Sequence, residues 1–500
     1  MIDVVRRRVF SLKSLSTIGK LMILIGLVIL TPILLIPFYP ADYQYLWSFL
    51  LPGSGSILLG LLHSILVGKQ HTYTTDRSSE FHKSSIIVVF AWCWGFLLGA
   101  IPFVLAGQLR FVQALFEAVS GFTTTGLSAM DVTKVPPIFL FYRSFMQYCG
   151  GLGFVLVMLL LVSGKRSMEL FSAEGHPDKL LPALKKTAQA IFAMYVGFLL
   201  IGTLTYTLAG MPLFDSINHA MCALSTGGFS TKLNSIGDYH SLAIDLVTIF
   251  LMVVGTTNFA VLLLFVKGKW RRFAQVSEMR FFALLLFISV IPCGINLAHT
   301  FNWSIWEGFR QALFNTSSAL STTGYSTMAY TDWPQFSLGI MIILMLVGGG
   351  IGSTAGGLKL VRVYLLLRFV WIRIKKAWWP PRKVSVDYYY KAQGKTKIDT
   401  DLCLDTLGFI ACYMVLFFIG SLLITLTANA SWTEAMFEFA SSIGTVGLSI
   451  GLTGPTTNDA TLIVEIIGMF IGRLEIFIVL VGVWSGFKML KPSKKVKLRA

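Results

Sequence analysis

Four short stretches of this chain carry the same residue types in the same order: "VSGFTTTGLS" (119–128), "MCALSTGGFS" (221–230), "SSALSTTGYS" (317–326) and "SSIGTVGLSI" (441–450). Each holds Thr-x-Gly, then Leu, Phe or Tyr, then Ser. The residues are Thr124, Thr125 and Gly126; Thr226, Gly227 and Gly228; Thr322, Thr323 and Gly324; Thr445, Val446 and Gly447. None is charged, so their chemistry is that of hydroxyl and backbone oxygen. A monovalent cation stripped of water needs several oxygens at once, and rings of backbone carbonyls supply them. Gly opens dihedrals closed to other residues, so successive carbonyls of an extended chain can aim inward.

The surroundings of the motif repeat as well. Six residues before each motif Gly stands a small residue, Ser120, Cys222, Ser318 or Ser441. Ten residues before three of them stands Phe (116, 314, 437), with Asn218 in the second copy. A short amphipathic run leads into each, such as "FVQALFEAVSGF" or "WTEAMFEFASSI". Such a run suits a half-helix that enters, turns and exits as extended chain. Exposed backbone at membrane depth is tolerable only where protein buries it or water bathes it. The half-helix would point the negative end of its dipole at the ion. Small-residue helix packing explains any single copy equally well; four copies in phase favour one shared axis.

A second group of residues could act as a barrier. The run "LVGGGIGSTAGGLKL" (346–360) interrupts an apolar span with Gly348, Gly349, Gly350, Gly352, Ser353, Thr354, Gly356 and Gly357. It lacks the Gly-Lys-Ser/Thr of a phosphate-binding loop, because Leu358 separates Gly357 from Lys359. So many glycines destabilise a helix interior, so a flexible intramembrane loop is expected, with helix packing as the alternative. Arg473 is the one cation deep in an apolar span. An intramembrane charge costs at least about 2.5–3.5 kcal/mol. Carbonyls and hydroxyls of 350–357 would offset that, and a salt bridge to Glu465 or Glu475 is the alternative. In the first case Arg473 fixes the loop and repels cations.

These groups need a membrane scaffold. Of 500 residues, 55% are apolar and 13% charged, and mean hydropathy is +0.72. Runs near 20–38, 45–67, 84–106, 136–163, 184–209, 240–266, 281–300, 335–369 (interrupted), 402–428 and 461–487 approach the length of a bilayer span. The fold class expected is an all-α membrane protein with ten transmembrane helices, four re-entrant pore loops and a pseudo-fourfold repeat of helix–pore loop–helix units. The net charge of +17 lies in the N-terminus and in connections 69–83, 165–186, 267–280, 359–397 and 488–499. That alternation is the positive-inside pattern, with both termini cytoplasmic. It orients the chain and calls for no nucleic acid. The six Cys show no paired spacing and the seven His no ligand spacing, so neither a disulfide framework nor a resident metal is expected. No cluster of acids, His and nucleophile suggests an enzyme.

With these motifs in place, the chain resembles the TrkH/KtrB superfamily of bacterial potassium transporters over about residues 80–490. The carriers are the four Thr-x-Gly copies, "GGGIGSTAGGLK" (348–359) and "IGRLEIF" (471–477). Two extra N-terminal spans resemble the TrkH branch. The resemblance implies that the twelve motif residues form a potassium selectivity filter and that 348–357 obstructs the pore beneath it. Gly126, where sodium-selective plant relatives carry Ser, then favours potassium. It also implies a homodimer that docks a cytoplasmic nucleotide-binding regulatory subunit (TrkA-like), in the bacterial inner (plasma) membrane among lipid. Potassium is the substrate, and no cofactor is expected in this chain. The expected units are 1–79 (two extra helices), 80–166, 167–275, 276–385 with the gate loop, and 386–500. A sodium-coupled secondary symporter, which also uses broken helices, is the alternative. Arg143 and Gln147, sharing one helix face, and Asn258 are expected to support the bundle. Loop 371–397 is expected to be an interfacial belt or a docking surface.

Overall fold

A bilayer offers backbone amides no partner, so long apolar runs satisfy themselves as helices. The computed structural model describes residues 15–67, 77–153, 184–378 and 387–490. It opens with α1 (Thr17–Leu30), capped by Ser16, and α2 (Leu46–Val67). These two pack backbone to backbone: a Cβ on Gly19 would meet Gly60 O at 2.5 Å, and one on Gly60 would meet Gly19 O at 2.6 Å. Small residues allow that approach.

The remaining chain repeats one order four times: a long helix, a short helix, an extended Thr-x-Gly strand and a further helix. The first set is α3 (Arg77–Leu105), α4 (Phe111–Phe122) and α5 (Pro137–Leu152). The second is α6 (Leu184–Leu208), α7 (Leu213–Leu224), α8 (Leu242–Thr256) and α9 (Phe259–Val266), followed by a short α10 (Trp270–Gln275). The third is α11 (Ser277–Thr300), α12 (Ile305–Ser321), α13 (Gln335–Val347) and α14 (Leu360–Trp378). The fourth is α15 (Thr400–Ala428), α16 (Trp432–Ile443), α17 (Asp459–Arg473) and α18 (Ile476–Leu490). Three of the short helices have 12 residues, about 18 Å of rise, which is well under a bilayer core of about 30 Å.

Among the described residues, six helices are long and apolar enough to cross a membrane, or eight if each of two sharply bent pairs counts as one span. Those pairs change the reading of two expected spans. The run 240–266 turns by 118° between α8 and α9, and 461–487 by 105° between α17 and α18. Arg473 therefore ends a helix instead of lying mid-span, and Leu474 follows it in extended conformation. The run 335–369 is divided into α13 and α14 by the Gly-rich loop. Within 136–163, α5 stops at Leu152, Gly153 has φ +78°, and the rest lies outside the described residues. All four second helices thus end soon after 13–16 residues.

One element departs from the all-helical expectation. Within the 371–397 connection, β1 (Tyr388–Lys391) pairs antiparallel with β2 (Gly394–Lys397) in a two-residue hairpin. Three consecutive tyrosines favour a strand, and the Lys395 ammonium sits 4.0 Å from the Tyr388 ring centre. Of the expected unit boundaries, 79/80 falls inside the first turn of α3. Those at 166/167 and 385/386, and both chain ends, lie outside the described residues.

Burial is inverted relative to a water-soluble bundle. Leu284, Phe287, Ile288, Ile291 and Ile295 form an exposed stripe along α11, and Val415, Ile419, Leu422 and Leu426 do so along α15. Those spacings put each set on one helix face, as lipid contact requires. Polar side chains gather instead in the interior, around the four Thr-x-Gly strands.

Candidate functional site

Each short helix ends in the same way. Thr124, Thr226, Thr322 and Thr445 have φ of 56°, 52°, 56° and 49°. Left-handed backbone is a genuine outlier for a β-branched residue and costs about 1–3 kcal/mol. Hydrogen bonds to the preceding helix hold it: Thr124 N donates to Gly121 O (3.1 Å) and Thr125 N to Ser120 O (2.9 Å). The same two bonds recur in the other copies, with Gly227 N–Cys222 O at 2.8 Å, Thr323 N–Ser318 O at 3.0 Å and Val446 N–Ser441 O at 2.8 Å. In two copies the side chain of the small residue six before the motif Gly acts here too. Ser120 Oγ accepts from Gly126 N (3.0 Å), and Ser441 Oγ accepts from Gly447 N (2.9 Å).

The four motif glycines also have positive φ, from 75° to 96°. Their neighbours define the arrangement of the strands. A Cβ on Gly126 would overlap Gly227 O, one on Gly228 Thr323 O, one on Gly324 Val446 O, and one on Gly447 Thr125 O. Those contacts run from strand one to two, three, four and back to one. The ring closes, so the strands surround one axis in chain order, with no charged group among their twelve residues.

Sequence reasoning missed the parts that brace this ring. Nine residues before each motif Gly stands Glu117, His219, Asn315 or Glu438, and each fully buried side chain holds the chain just after its strand. Glu117 Oε1 accepts from Ser128 Oγ (2.6 Å) and Ala129 N (2.7 Å). His219 Nε2 bonds Ser230 Oγ at 3.0 Å, and Asn315 Nδ2 donates to Thr327 Oγ1 at 2.9 Å. Glu438 accepts from Ser449 Oγ (2.7 Å) and Ile450 N (3.1 Å). The motif Ser is therefore the brace point in three copies. The signal was there in the shared register, hidden because the residue types differ.

Arg143 and Gln147 both reach this ring from α5. Arg143 pairs with Glu117 Oε2 (3.0 Å), donates to Ser128 Oγ (2.8 Å) and lies 4.0 Å over Phe229. Gln147 Nε2 donates to Gly227 O (2.6 Å), and its Oε1 accepts from Phe229 N (3.1 Å). A Cβ at Gly227 would overlap that amide, which is why the middle residue is Gly in this copy alone. Asn258 caps α9, its Oδ1 accepting from Ala260 N at 2.7 Å.

The Gly-rich loop lies against the Thr end of the strands. Thr354 Oγ1 touches Thr226 Oγ1 (3.1 Å), and Gly356 N donates to Thr322 Oγ1 (3.0 Å). A Cβ on Gly356 would overlap Thr445 Oγ1 and meet Gly444 O at 2.5 Å. Hydroxyls Thr124 Oγ1 and Thr445 Oγ1 are buried without a hydrogen-bond partner among the described residues. The loop is stitched to the α8–α9 break: Gly350 N donates to Thr256 O (3.0 Å), Thr354 N to Gly255 O (3.3 Å), and Phe259 N to Gly352 O (3.1 Å). From the other side Arg473 donates to Thr354 O and, at 2.7 Å, to Gly150 O. Lys359 Nζ donates to Ala355 O. Glu475 pairs with Arg362 at 2.6 Å. Gly352, Ser353, Ala355, Lys359 and Arg473 line a cavity of about 30 Å³, room for a water or two.

Known proteins share this architecture. The chain is 30% identical over 437 residues to the Trk system potassium uptake protein TrkG of Escherichia coli, covering 84% of this chain and 89% of that one. It is 31% identical over 415 residues to the Trk system potassium uptake protein TrkH of Vibrio parahaemolyticus, covering 79% and 84%. The crystal structure of the potassium transporter TrkH from Vibrio parahaemolyticus superposes with a TM-score of 0.77 at 26% identity, over 95% of this chain and 97% of that one. Together with the apolar helices, these likenesses make this a multi-pass membrane protein with a helical transporter fold. A family model described as TrkH, cation transport protein, matches residues 54–493. The chain therefore belongs to the TrkH family, a family of cation transporters and not of enzymes.

Proposed function

We propose that this protein takes up potassium across a bacterial inner membrane through a filter made by its four Thr-x-Gly strands. The observation that carries the reading is the closed ring of motif glycines, which sets four uncharged, oxygen-rich strands about one axis. Carbonyl oxygens replacing an ion's water shell need that convergence and no formal charge. The names of the two relatives support potassium as the substrate. The filter comprises Thr124–Gly126, Thr226–Gly228, Thr322–Gly324 and Thr445–Gly447. The four short helices and their strands are re-entrant pore loops, and ten spans carry them with both termini cytoplasmic.

The gate is the loop 348–357 with Arg473. It presses on three of the four Thr side chains at the filter's inner end, and a cation at Arg473 opposes potassium there. The units are 1–79, 80–166, 167–275, 276–385 and 386–500. The protein works as a homodimer in lipid and docks a cytoplasmic nucleotide-binding subunit that governs the gate, a reading supported by the word "system" in the names of its relatives. The four copies share one orientation, unlike the inverted repeats common in secondary symporters.

Flux of potassium and of sodium into liposomes holding the purified protein tests the reading. The wild type should pass potassium well above sodium, and Gly126→Ser should narrow that ratio. Equal passage of both ions by the wild type would sink the proposed filter.

A further inference from the structure

Behind the fourth strand, two buried carboxyls lie side by side. Glu465, on α17, is fully buried and sits beside the equally buried Glu438 of α16. A single hydroxyl lies between them: Thr453 Oγ1 is 2.5 Å from Glu438 Oε1 and 2.7 Å from Glu465 Oε1. A hydroxyl has one hydrogen to donate and two lone pairs. Two ionised carboxylates could not both be satisfied by it.

The remaining partners decide which carboxyl carries the charge. Glu438 also accepts from Ser449 Oγ (2.7 Å), Thr453 N (3.1 Å) and Ile450 N (3.1 Å), a donor set suited to an anion. Glu465 has no donor besides that hydroxyl, and its Oε2 is buried without a partner among the described residues. A bare anionic oxygen there would cost far more than a bare carbonyl of a neutral acid. Among the described residues, no cation pairs with either carboxyl. At the start of α17, Arg110 pairs with Asp459 (3.2 Å), and on α4 and α5 Arg143 pairs with Glu117 (3.0 Å). Asp401 and Asp405 lie at the far end of α15, whose Thr427 meets Thr461 at the start of α17. On α16, Glu434 is taken up by the Ser431 cap. At the other end of α17, Arg473 is occupied by backbone carbonyls, and Glu475 beyond it pairs with Arg362.

We infer that Glu465 is a proton-binding site: its carboxyl stays protonated at neutral pH and donates through Oε1–H to Thr453 Oγ1, whose own hydrogen goes to the Glu438 carboxylate. The chain carboxylic acid–hydroxyl–carboxylate ties α17 to the loop that follows the fourth strand. Eight residues further along α17, about 12 Å at 1.5 Å per residue, Arg473 holds the Gly-rich loop. Glu465 is thus a positioning residue set between both parts, and ionising it would place two anions side by side.

Infrared spectroscopy of the purified full-length protein reads the proton directly, without reference to ion flux. The wild type should show a protonated-carboxyl C=O band at neutral pH that is lost in Glu465→Gln and kept in Glu438→Gln. A band that survives Glu465→Gln, or that disappears in Glu438→Gln instead, overturns the assignment. If Glu465→Gln does not fold, Thr453→Val decides: the band shifts if Glu465 donates to that hydroxyl, and an unmoved band refutes it.

Discussion

Arg473 shows how much a single side chain can be asked to do. Its guanidinium spans from the Gly-rich loop at Thr354 O to the end of α5 at Gly150 O, so it joins parts of the chain far apart in sequence. A planar fork of fixed donors suits that double contact better than a flexible ammonium. Arg473→Ala removes both bonds and the local positive charge, and is expected to raise potassium flux in liposomes. Unchanged flux in folded variant protein would leave the residue a structural strut only. The motif threonines and glycines were legible because four copies repeat them. The brace at Glu117, His219, Asn315 and Glu438 was not, since three residue types serve one position and only the register unites them.

At the scale of elements, the breaks matter more than the helices. α8, α13 and α17 each stop beside the Gly-rich loop, which pairs with the backbone ends of α8 and α13 and with the Arg473 side chain at the end of α17. The sequence marked the interruption at 348–357 through its glycines. It gave little sign of the bends at 256–259 and 473–476, where "GTTNF" and "GRLEI" sit inside windows that stay apolar on average. Backbone groups bared at the first of these bends are satisfied by the Gly-rich loop, a partner distant in the chain, which a local pattern cannot reveal. Close packing occupies other glycines: a Cβ on Gly150 would overlap Phe122 O, and one on Gly472 would overlap Ile443 O. The loop's seat depends on similar closeness at Gly356. Gly356→Ala forces a methyl against Thr445 Oγ1 and Gly444 O, so the loop should shift off the strands. A higher resting potassium flux than wild type is the expected result, read in the same liposome assay.

For the whole molecule, the lipid-facing stripes set the limits of change. Ile288, near the middle of α11, is 56% exposed, and Ile288→Lys would put an ammonium near mid-bilayer. The cost should be at least about 2.5–3.5 kcal/mol, seen as a lower thermal midpoint of the reconstituted protein. The class of the fold was plain from composition, because apolar runs of that length have few other uses. The hairpin at 388–397 was not, being small and flanked by basic residues that read as an interfacial loop. Gln147 leads to one last point about the ring as a whole. It props only the second strand, at the only copy whose central position is Gly. In a channel assembled from four identical subunits, any such prop would come in quadruplicate. Here one polypeptide supplies every quadrant, so a single codon can alter a quarter of the ring and leave three quarters untouched.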